Sequence, residues 1–258
     1  MRVISLCPSN TELMEYLGLT DSLIAVDDYS DWPEAVRHLP KVGPDLSINM
    51  ELVDQLKPDL VLASLSVPGM EKNVQVLQQR NIPHLVLNPQ FLADIEQDLK
   101  TVAEALQQPV LGIEAAEKFR SRLEAFKKNA GTTRSRPSIY WEWWPKPIFT
   151  PGKNNWLTEI SEVAGARNLY EDVELASVQT DWEDVVYRKP DYICLAWVGV
   201  RKKKVKKTSV SNRVGFEKLN LPENRIFLLE EELYCRPSPR LLDGLEKLVC
   251  LINSSSRE

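Results

Sequence analysis

Short apolar runs alternate with helix-like segments along the first ninety residues of the chain, and this alternation constrains the fold more than any other feature. Four runs have the length and composition of β-strands: Val3–Cys7, Leu23–Val26, Leu60–Ala63 and His84–Leu87. Ser9-Asn10-Thr11-Glu12 has the pattern of a capping box, with Ser9 as the N-cap of the first helix. Strands that alternate with helices form mostly parallel sheets covered by helices on both faces. The first part of the sequence therefore predicts an α/β lobe.

A long helical stretch interrupts this alternation in the middle of the chain. Apolar residues recur at helical spacing over residues 92–130, and Pro109 divides the stretch into two helices. The second helix, from Leu111 to Asn129, would be about 28 Å long, which is enough to cross from one lobe to another. We predict two Rossmann-like lobes with mostly parallel sheets, joined by a long bridging α-helix. The predicted organisation is a lobe at residues 1–108, a bridge at 109–136 and a second lobe at 137–258.

The second half resumes the alternation and contains an echo of the first. Its predicted strands are Ile139–Trp144, Tyr192–Trp197 and Ile226–Leu229. The segments Glu51–Asp59 and Glu183–Asp191 both begin as helices, end in Lys-Pro-Asp and lead into an apolar strand. Each pattern predicts a helix, a tight turn and a buried strand, so the two lobes are expected to have a similar construction.

Composition and motifs argue against several classes of function. The net charge is −5, which disfavours nucleic acid as the main partner. The sequence has no Walker A, G-x-G-x-x-G or G-x-S-x-G motif. Its only histidines are His38 and His84, too few for a typical transition-metal site. We interpret the carboxylates of Asp27-Asp28 and Glu230-Glu231-Glu232 as solvated faces or helix caps. We therefore predict no catalytic residues, no metal site and no cofactor.

The distribution of aromatic residues indicates a binding site. Six of the seven tryptophans lie between residues 141 and 197. If Ile139–Trp144 is one strand, Trp141 and Trp143 face one side of it, and Tyr140 and Trp144 face the other. Ligands of open α/β sheets bind beyond the carboxyl ends of the strands. The candidate residues at or after such ends are Tyr29, Trp32, Trp143, Trp144 and Trp197.

Two interpretations of these aromatic residues stay open. Rigid aromatic rings on strand-end loops of two lobes would form a stacking cleft for a large, flat ligand. The alternative is that the rings pack in the core or between the lobes.

Five segments, taken in order along the chain, resemble the class III periplasmic binding proteins of ABC importers, and most resemble their cobalamin-binding branch. These segments are Ser5–Glu12, Asp27–Pro33, Lys57–Val61, Thr150–Lys153 and Arg236–Arg240. The resemblance implies two Rossmann-like lobes, a rigid bridging helix and a corrinoid ligand, such as vitamin B12, held in the interlobe cleft. It implies the permease and ATPase subunits of an ABC importer as partners. Glu71 and Glu183 would be the surface glutamates that pair with permease arginines.

Alternatives to the corrinoid assignment stay open. A ferric siderophore or haem would suit the same aromatic cleft, and Arg236 would be the candidate arginine for a siderophore. Glu71 and Glu183 have a second interpretation, because a first-turn acid is favoured by the helix dipole and Glu183 fits the N3 position of a capping box at Thr180–Glu183. A cytoplasmic corrinoid-handling enzyme or sensor on the same scaffold is the third hypothesis.

Localisation and assembly are expectations of the same kind. The chain begins at Met1 with no basic segment followed by an apolar one, as a signal peptide would have. We therefore expect an extracytoplasmic protein if the sequence is a trimmed mature form, and a cytoplasmic one if Met1 is the native start. We expect a monomer.

A basic run, Arg201–Lys207, follows the predicted strand that carries Trp197. Such a run usually forms a solvated loop. The alternative is that it favours an anionic ligand near the cleft.

Overall fold

The computed structural model describes residues 1–129 and 136–255, and these form two compact units. The first unit comprises Met1–Ser121 with Pro237–Pro239, and the second comprises Arg122–Arg236 with Arg240–Glu258. The boundary at residue 121 falls inside one long helix, Pro109–Asn129. The predicted bridge at 109–136 extends into residues 130–135, which lie outside the described residues, and the predicted three-part division stays a prediction.

The predicted strands appear in their predicted order, and four short strands that the sequence does not predict lie between residues 144 and 180. The strands are β1 Val3–Ser5, β2 Leu23–Val26, β3 Leu60–Ser64, β4 His84–Leu87, β5 Ser138–Glu142, β6 Trp144–Pro145, β7 Ile148–Pro151, β8 Arg167–Asn168, β9 Ser177–Thr180, β10 Tyr192–Leu195 and β11 Ile226–Leu228. The α-helices are α1 Pro8–Tyr16, α2 Met50–Gln55, α3 Glu71–Gln79, α4 Leu92–Ala105, α5 Pro109–Asn129, α6 Trp156–Val163, α7 Trp182–Arg188, α8 Thr208–Ser211, α9 Glu231–Tyr234 and α10 Leu241–Ser255. Short 3-10 turns lie at Thr20–Ser22, Glu34–His38, Lys202–Lys204, Phe216–Leu219 and Glu223–Arg225.

Each unit is built on a four-stranded parallel sheet. The first unit has the order β2-β1-β3-β4, and the second has the order β11-β10-β5-β8. Read from the opposite edge, the second order places β8, β5, β10 and β11 where the first has β2, β1, β3 and β4. The second unit adds a three-stranded antiparallel sheet, β6-β7-β9. These findings confirm the predicted α/β fold with mostly parallel sheets.

The cores lie against these sheets. In the first unit, fully buried side chains of β1 and β3, such as Ile4 and Val61, pack with Val53 of α2 and Leu77 of α3. In the second unit, Tyr140 of β5 and Ile193 of β10 belong to one cluster with residues of β7, β9 and α7. The sequence identifies these positions because strands buried on both faces are continuous apolar runs.

The echo between the two halves is a shared structural unit. In both copies the lysine has a left-handed backbone conformation, with φ of 46° at Lys57 and 52° at Lys189. The aspartate two residues later accepts a hydrogen bond from a backbone N–H at the start of the neighbouring strand, from Arg2 to Asp59 and from Ser138 to Asp191, both at 2.7 Å. The predicted tight turns are therefore confirmed in both units.

Two predicted capping boxes are wrong. Helix α1 has Cys7 as its N-cap and Pro8 in its first turn, and Glu12 instead accepts a hydrogen bond from the Ser238 hydroxyl at 2.5 Å. Proline suits the first helical turn because it has no N–H to leave unpaired there. In α7 the N-cap is Asp181, whose carboxylate accepts from the Asp184 N–H at 2.9 Å.

Three negative findings apply to residues 1–129 and 136–255. None of the helices there combines the length and apolar character needed to span a bilayer. No group of three or more His, Cys, Asp or Glu side chains is arranged to hold a metal ion. The four cysteines, Cys7, Cys194, Cys235 and Cys250, are free thiols.

Candidate ligand-binding site

The predicted aromatic residues follow strands of the two parallel sheets. In a parallel sheet all strands end at the same edge, which we call the carboxyl edge. Tyr29 and Trp32 follow β2 at the carboxyl edge of the first sheet, and Trp143, Trp144 and Trp197 follow β5 and β10 at that of the second. Each set is described within its own unit.

In the first unit, a buried carboxylate organises the loop that carries Tyr29. Asp27 is fully buried and accepts hydrogen bonds from the Tyr29 backbone N–H at 2.8 Å and from the Ser30 hydroxyl. The Ser30 hydroxyl also lies 2.7 Å from the Thr11 hydroxyl of α1, and the Lys41 ammonium donates to the Ser30 carbonyl at 2.7 Å. These bonds fix the loop against β1 and α1. The Tyr29 side chain remains half-exposed, at 51%, and Trp32 is partly buried.

The environment of Asp27 changes its acidity. Burial raises the pKa of Asp27 to about 6, because the charged form loses its hydration. Hydrogen bonds from Ser30 and the Tyr29 N–H act in the opposite direction, as does the nearby Lys41 ammonium, while Asp45 adds to the increase. The negative charge that orders the loop is therefore sensitive to mild acidity.

In the second unit, Trp143 and Trp144 have different environments. The strand predicted at Ile139–Trp144 ends at Glu142, so the predicted alternation of faces does not reach these two residues. Trp143 is partly buried and stacks on Trp156 with ring centroids 5.8 Å apart, and its indole N–H has no hydrogen-bond partner among the described residues. Trp144 belongs to β6, is 43% exposed, and donates its indole N–H to the Lys146 carbonyl at 3.0 Å. Trp143 thus packs on Trp156, and Trp144 offers a more accessible ring.

Trp197 is held by a buried ion pair. The strand predicted to end at Trp197 ends at Leu195, and Trp197 lies in the connection that follows. Its indole N–H donates to Glu142 at 3.1 Å, and Arg213 donates two hydrogen bonds to the same carboxylate, at 2.7 and 3.0 Å. Glu142 is fully buried and also accepts from the Tyr140 hydroxyl at 2.7 Å. The bidentate pair and the two neutral donors satisfy this buried charge and fix the orientation of the Trp197 ring.

Backbone hydrogen bonds join the two aromatic segments of the second unit. The Ala196 N–H donates to the Glu142 carbonyl at 3.2 Å, and the Val198 N–H donates to the Trp143 carbonyl at 3.0 Å. The structure therefore brings Trp143, Trp144 and Trp197 to one part of the carboxyl edge.

Arg236 is mostly buried. Its guanidinium pairs with Glu231 at 3.2 Å, and only 9% of the residue is exposed. Burial raises the pKa of Glu231, and the Arg236 guanidinium opposes that increase. The positive charge with which Arg236 would bind a siderophore is already balanced by Glu231.

Sequence reasoning missed the charged residues that position the aromatic rings. The interpretation of Asp27 and Glu231 as solvated or capping residues is wrong, because both are buried and bonded. Glu142 gave one usable signal, since a charge inside an aromatic strand requires a partner. Arg213 gave none, because it lies 71 residues from Glu142 in the sequence.

The two candidate docking glutamates are exposed residues in first helical turns. Glu71 is the first residue of α3 and accepts a hydrogen bond from the Gly69 N–H at 2.8 Å. Backbone hydrogen bonds lower the pKa of Glu71, so it carries its negative charge at neutral pH. Glu183 is exposed in the first turn of α7 and, with Asp181 as the N-cap, it does not occupy the predicted capping-box position.

Comparisons with known proteins identify relatives over most of the chain. A family model described as periplasmic binding protein matches residues 3–218. A vitamin B12-binding protein of Yersinia pestis is 31% identical over 250 residues, which cover 96% of this chain and 84% of the relative.

Solved structures share the fold. The crystal structure of the periplasmic vitamin B12 binding protein BtuF of Vibrio cholerae has a TM-score of 0.80 at 25% identity and covers 100% of this chain and 98% of its own. A periplasmic haem binding protein of Pseudomonas aeruginosa has a TM-score of 0.80 at 22% identity, with 96% and 91% covered. Because the family model spans residues 3–218 of 258, the chain belongs to the periplasmic binding protein family.

Proposed function

We propose that this chain is the substrate-binding protein of an ABC importer and that it binds a corrinoid of the vitamin B12 type without a catalytic step. The observation that carries the proposal is the 31% identity to a vitamin B12-binding protein over 96% of the chain. A corrinoid is a large ligand with a flat macrocycle, and such a ligand suits aromatic side chains at the ends of parallel strands.

The geometry of each unit supports this ligand class. Trp144 and Tyr29 supply exposed rings at the carboxyl edges of their own sheets. Trp197 is oriented by Glu142, and the Tyr29 loop is ordered by Asp27. Rings that are fixed before the ligand arrives lose little conformational entropy on binding, so more of the contact energy becomes affinity. The predicted cleft between the lobes stays a prediction.

The proposal includes a location and a partner. An importer takes its substrate from outside the cytoplasm, so we place the protein in an extracytoplasmic compartment. Glu71 and Glu183 are the proposed contacts with cationic residues of the permease, because both are exposed. Both side chains are accessible to a partner.

Calorimetric titration with cyanocobalamin tests the ligand assignment. We expect saturable binding at micromolar or lower concentration, and at least a tenfold loss of affinity, about 1.4 kcal/mol, in Trp144→Ala and in Tyr29→Ala. Tyr187→Ala is the matched control. Tyr187 is 83% exposed in the last turn of α7, which leads through the Lys189 turn into the opposite edge of the sheet. Its removal should leave the affinity unchanged.

The same assay separates the alternative ligands. Saturable binding of haemin or of a ferric hydroxamate siderophore, with no binding of cyanocobalamin, would overturn the corrinoid assignment and retain the binding-protein role. Chromatography of the recovered cyanocobalamin should show an unchanged compound. Conversion to another corrinoid would instead support the enzyme hypothesis.

A further inference from the structure

We propose that the basic run Arg201–Lys207 is a contact surface for an anionic lipid bilayer, independent of the ligand that the protein carries. Six of its seven residues are cationic: Arg201, Lys202, Lys203, Lys204, Lys206 and Lys207. The whole chain nevertheless has a net charge of −5. Positive charge is therefore concentrated on one short segment of an otherwise acidic protein.

The run is an ordered part of the surface. Lys202–Lys204 forms a 3-10 turn, closed by hydrogen bonds from the Lys204 N–H to the Arg201 carbonyl at 2.8 Å and from the Val205 N–H to the Lys202 carbonyl at 3.0 Å. Val205 is 3% exposed and belongs to the core of the second unit. Because Val205 is anchored, the residues on either side of it are held at the surface.

Most of these cationic side chains are exposed to solvent and have no ion-pair partner among the described residues. Arg201, Lys203, Lys204 and Lys206 are exposed and form no ion pair with the described residues. Lys202 pairs with Glu230 at 3.3 Å, and Lys207 donates to the Glu223 carbonyl at 2.5 Å. Four unpaired cations within six residues repel one another, and an external anion would relieve that repulsion.

The contacts of the two end lysines show where the run lies. Glu230 follows the carboxyl end of the edge strand β11, and Glu223 precedes its amino end. The run therefore lies along β11, from the carboxyl end of the strand to its amino end. Lys202, which pairs with Glu230, is the residue of the run that a contact places near the carboxyl edge where Trp197 lies.

The carboxylates of the surface beside the run have cationic partners. A groove of about 940 Å³ lies between the run and α10, with β11 at its base. Its carboxylates are already paired, Glu230 with Lys202 and Lys247, and Asp243 and Glu246 with Arg122.

The composition of the run favours a bilayer over other polyanions. Lysine is a mobile point charge that suits a diffuse negative surface, whereas arginine is preferred where a defined carboxylate or phosphate is bound by two hydrogen bonds. A nucleic acid is an extended chain, so it would also contact the acidic remainder of the protein and be repelled there. A planar membrane touches one patch, and each Lys or Arg near it contributes about 1 kcal/mol.

Sedimentation with vesicles tests this proposal. Vesicles of phosphatidylcholine with about 30% phosphatidylglycerol should bind the full chain in about 0.1 M salt, and pure phosphatidylcholine should not. The triple variant Lys203→Gln/Lys204→Gln/Lys206→Gln should lose about a hundredfold in partitioning. The matched control, Lys57→Gln/Lys72→Gln/Lys128→Gln, removes the same charge from exposed positions elsewhere and should bind as the parent does. Circular dichroism verifies folding of both variants.

Other outcomes would overturn the proposal. Equal partitioning of the two triple variants would show that net charge, and not this run, governs binding. If the parent protein does not bind anionic vesicles, the run is not a membrane contact surface. A weaker, salt-dependent affinity for cyanocobalamin in the first variant would assign the run to the ligand. Binding of the run to a soluble acidic peptide, with none to vesicles, would assign it to a protein.

Discussion

Individual buried charges position the aromatic rings of this protein. Glu142 is the last residue of β5, is fully buried and follows the fully buried Tyr140 and Trp141, so its carboxylate requires compensation by Arg213 and by two neutral donors. The residue types along β5 predict that a partner must exist. They do not predict which residue it is, because the pairing depends on how a distant segment packs.

Asp27 gives the first prediction at the residue scale, which concerns pH. Its folded pKa of about 6 lies above its usual value of 3.8, so folding favours the protonated form. The stability that this proton contributes is fully present below about pH 4 and is lost as the pH rises through 6. Chemical denaturation across pH 4–8 should therefore show the free energy of unfolding of Asp27→Asn rising relative to the parent by about 3 kcal/mol.

A second variant tests whether Asp27 is the cause of this effect. Ser30→Ala removes a donor that stabilises the Asp27 carboxylate, so the pH-dependent change should move to higher pH. Parallel pH profiles for the parent and Asp27→Asn would refute the assignment to Asp27.

Elements were predicted more accurately in their existence than in their ends. β5 stops two residues before the predicted end because the Trp143 N–H bonds to the Phe149 carbonyl, within the β6–β7 hairpin. That partner is set by a turn whose strands are only two and four residues long, too short to have a periodic pattern. The antiparallel sheet of the second unit was not predicted for the same reason.

The repeated turn gives a prediction at the element scale. Asp59 and Asp191 each join the turn to the start of the neighbouring strand by accepting from a backbone N–H. Asp59→Ala and Asp191→Ala should each lower the free energy of unfolding by about 1 kcal/mol, as expected for one lost hydrogen bond. The loss should be larger for Asp191, which also accepts from the Ser138 hydroxyl at 2.8 Å.

Urea denaturation measures both effects, and the chain offers a matched control. Asp54 is an exposed carboxylate of α2 whose separation from Arg80 is 3.9 Å. Asp54→Ala should leave the midpoint unchanged, because an exposed pair at that distance contributes little. Similar losses for Asp54→Ala and Asp59→Ala would mean that the turn carboxylate has no special role.

At the scale of the whole molecule, the order of family segments along the sequence predicted the two-unit α/β fold and the family together. What it left open is which exposed residues meet a partner, since helix placement alone explains a first-turn acid. Glu71 and Glu183 occupy such positions in different units, so the docking role proposed for both requires a test in transport.

Charge reversal tests that role. If the proposed docking role is correct, Glu71→Arg and Glu183→Arg should each reduce corrinoid uptake through the proposed permease and ATPase by at least tenfold, about 1.4 kcal/mol. Each substitution places a cation where an anion is proposed to meet cationic permease residues. The affinity for cyanocobalamin should stay unchanged, since neither glutamate is one of the aromatic residues proposed to contact the ligand. Glu114→Arg, a charge reversal at an exposed position in the N-terminal part of α5, is the control and should transport normally. If all three variants transport alike, the two glutamates serve only their helices. If affinity falls together with uptake, the substitutions act on the ligand site and not on docking.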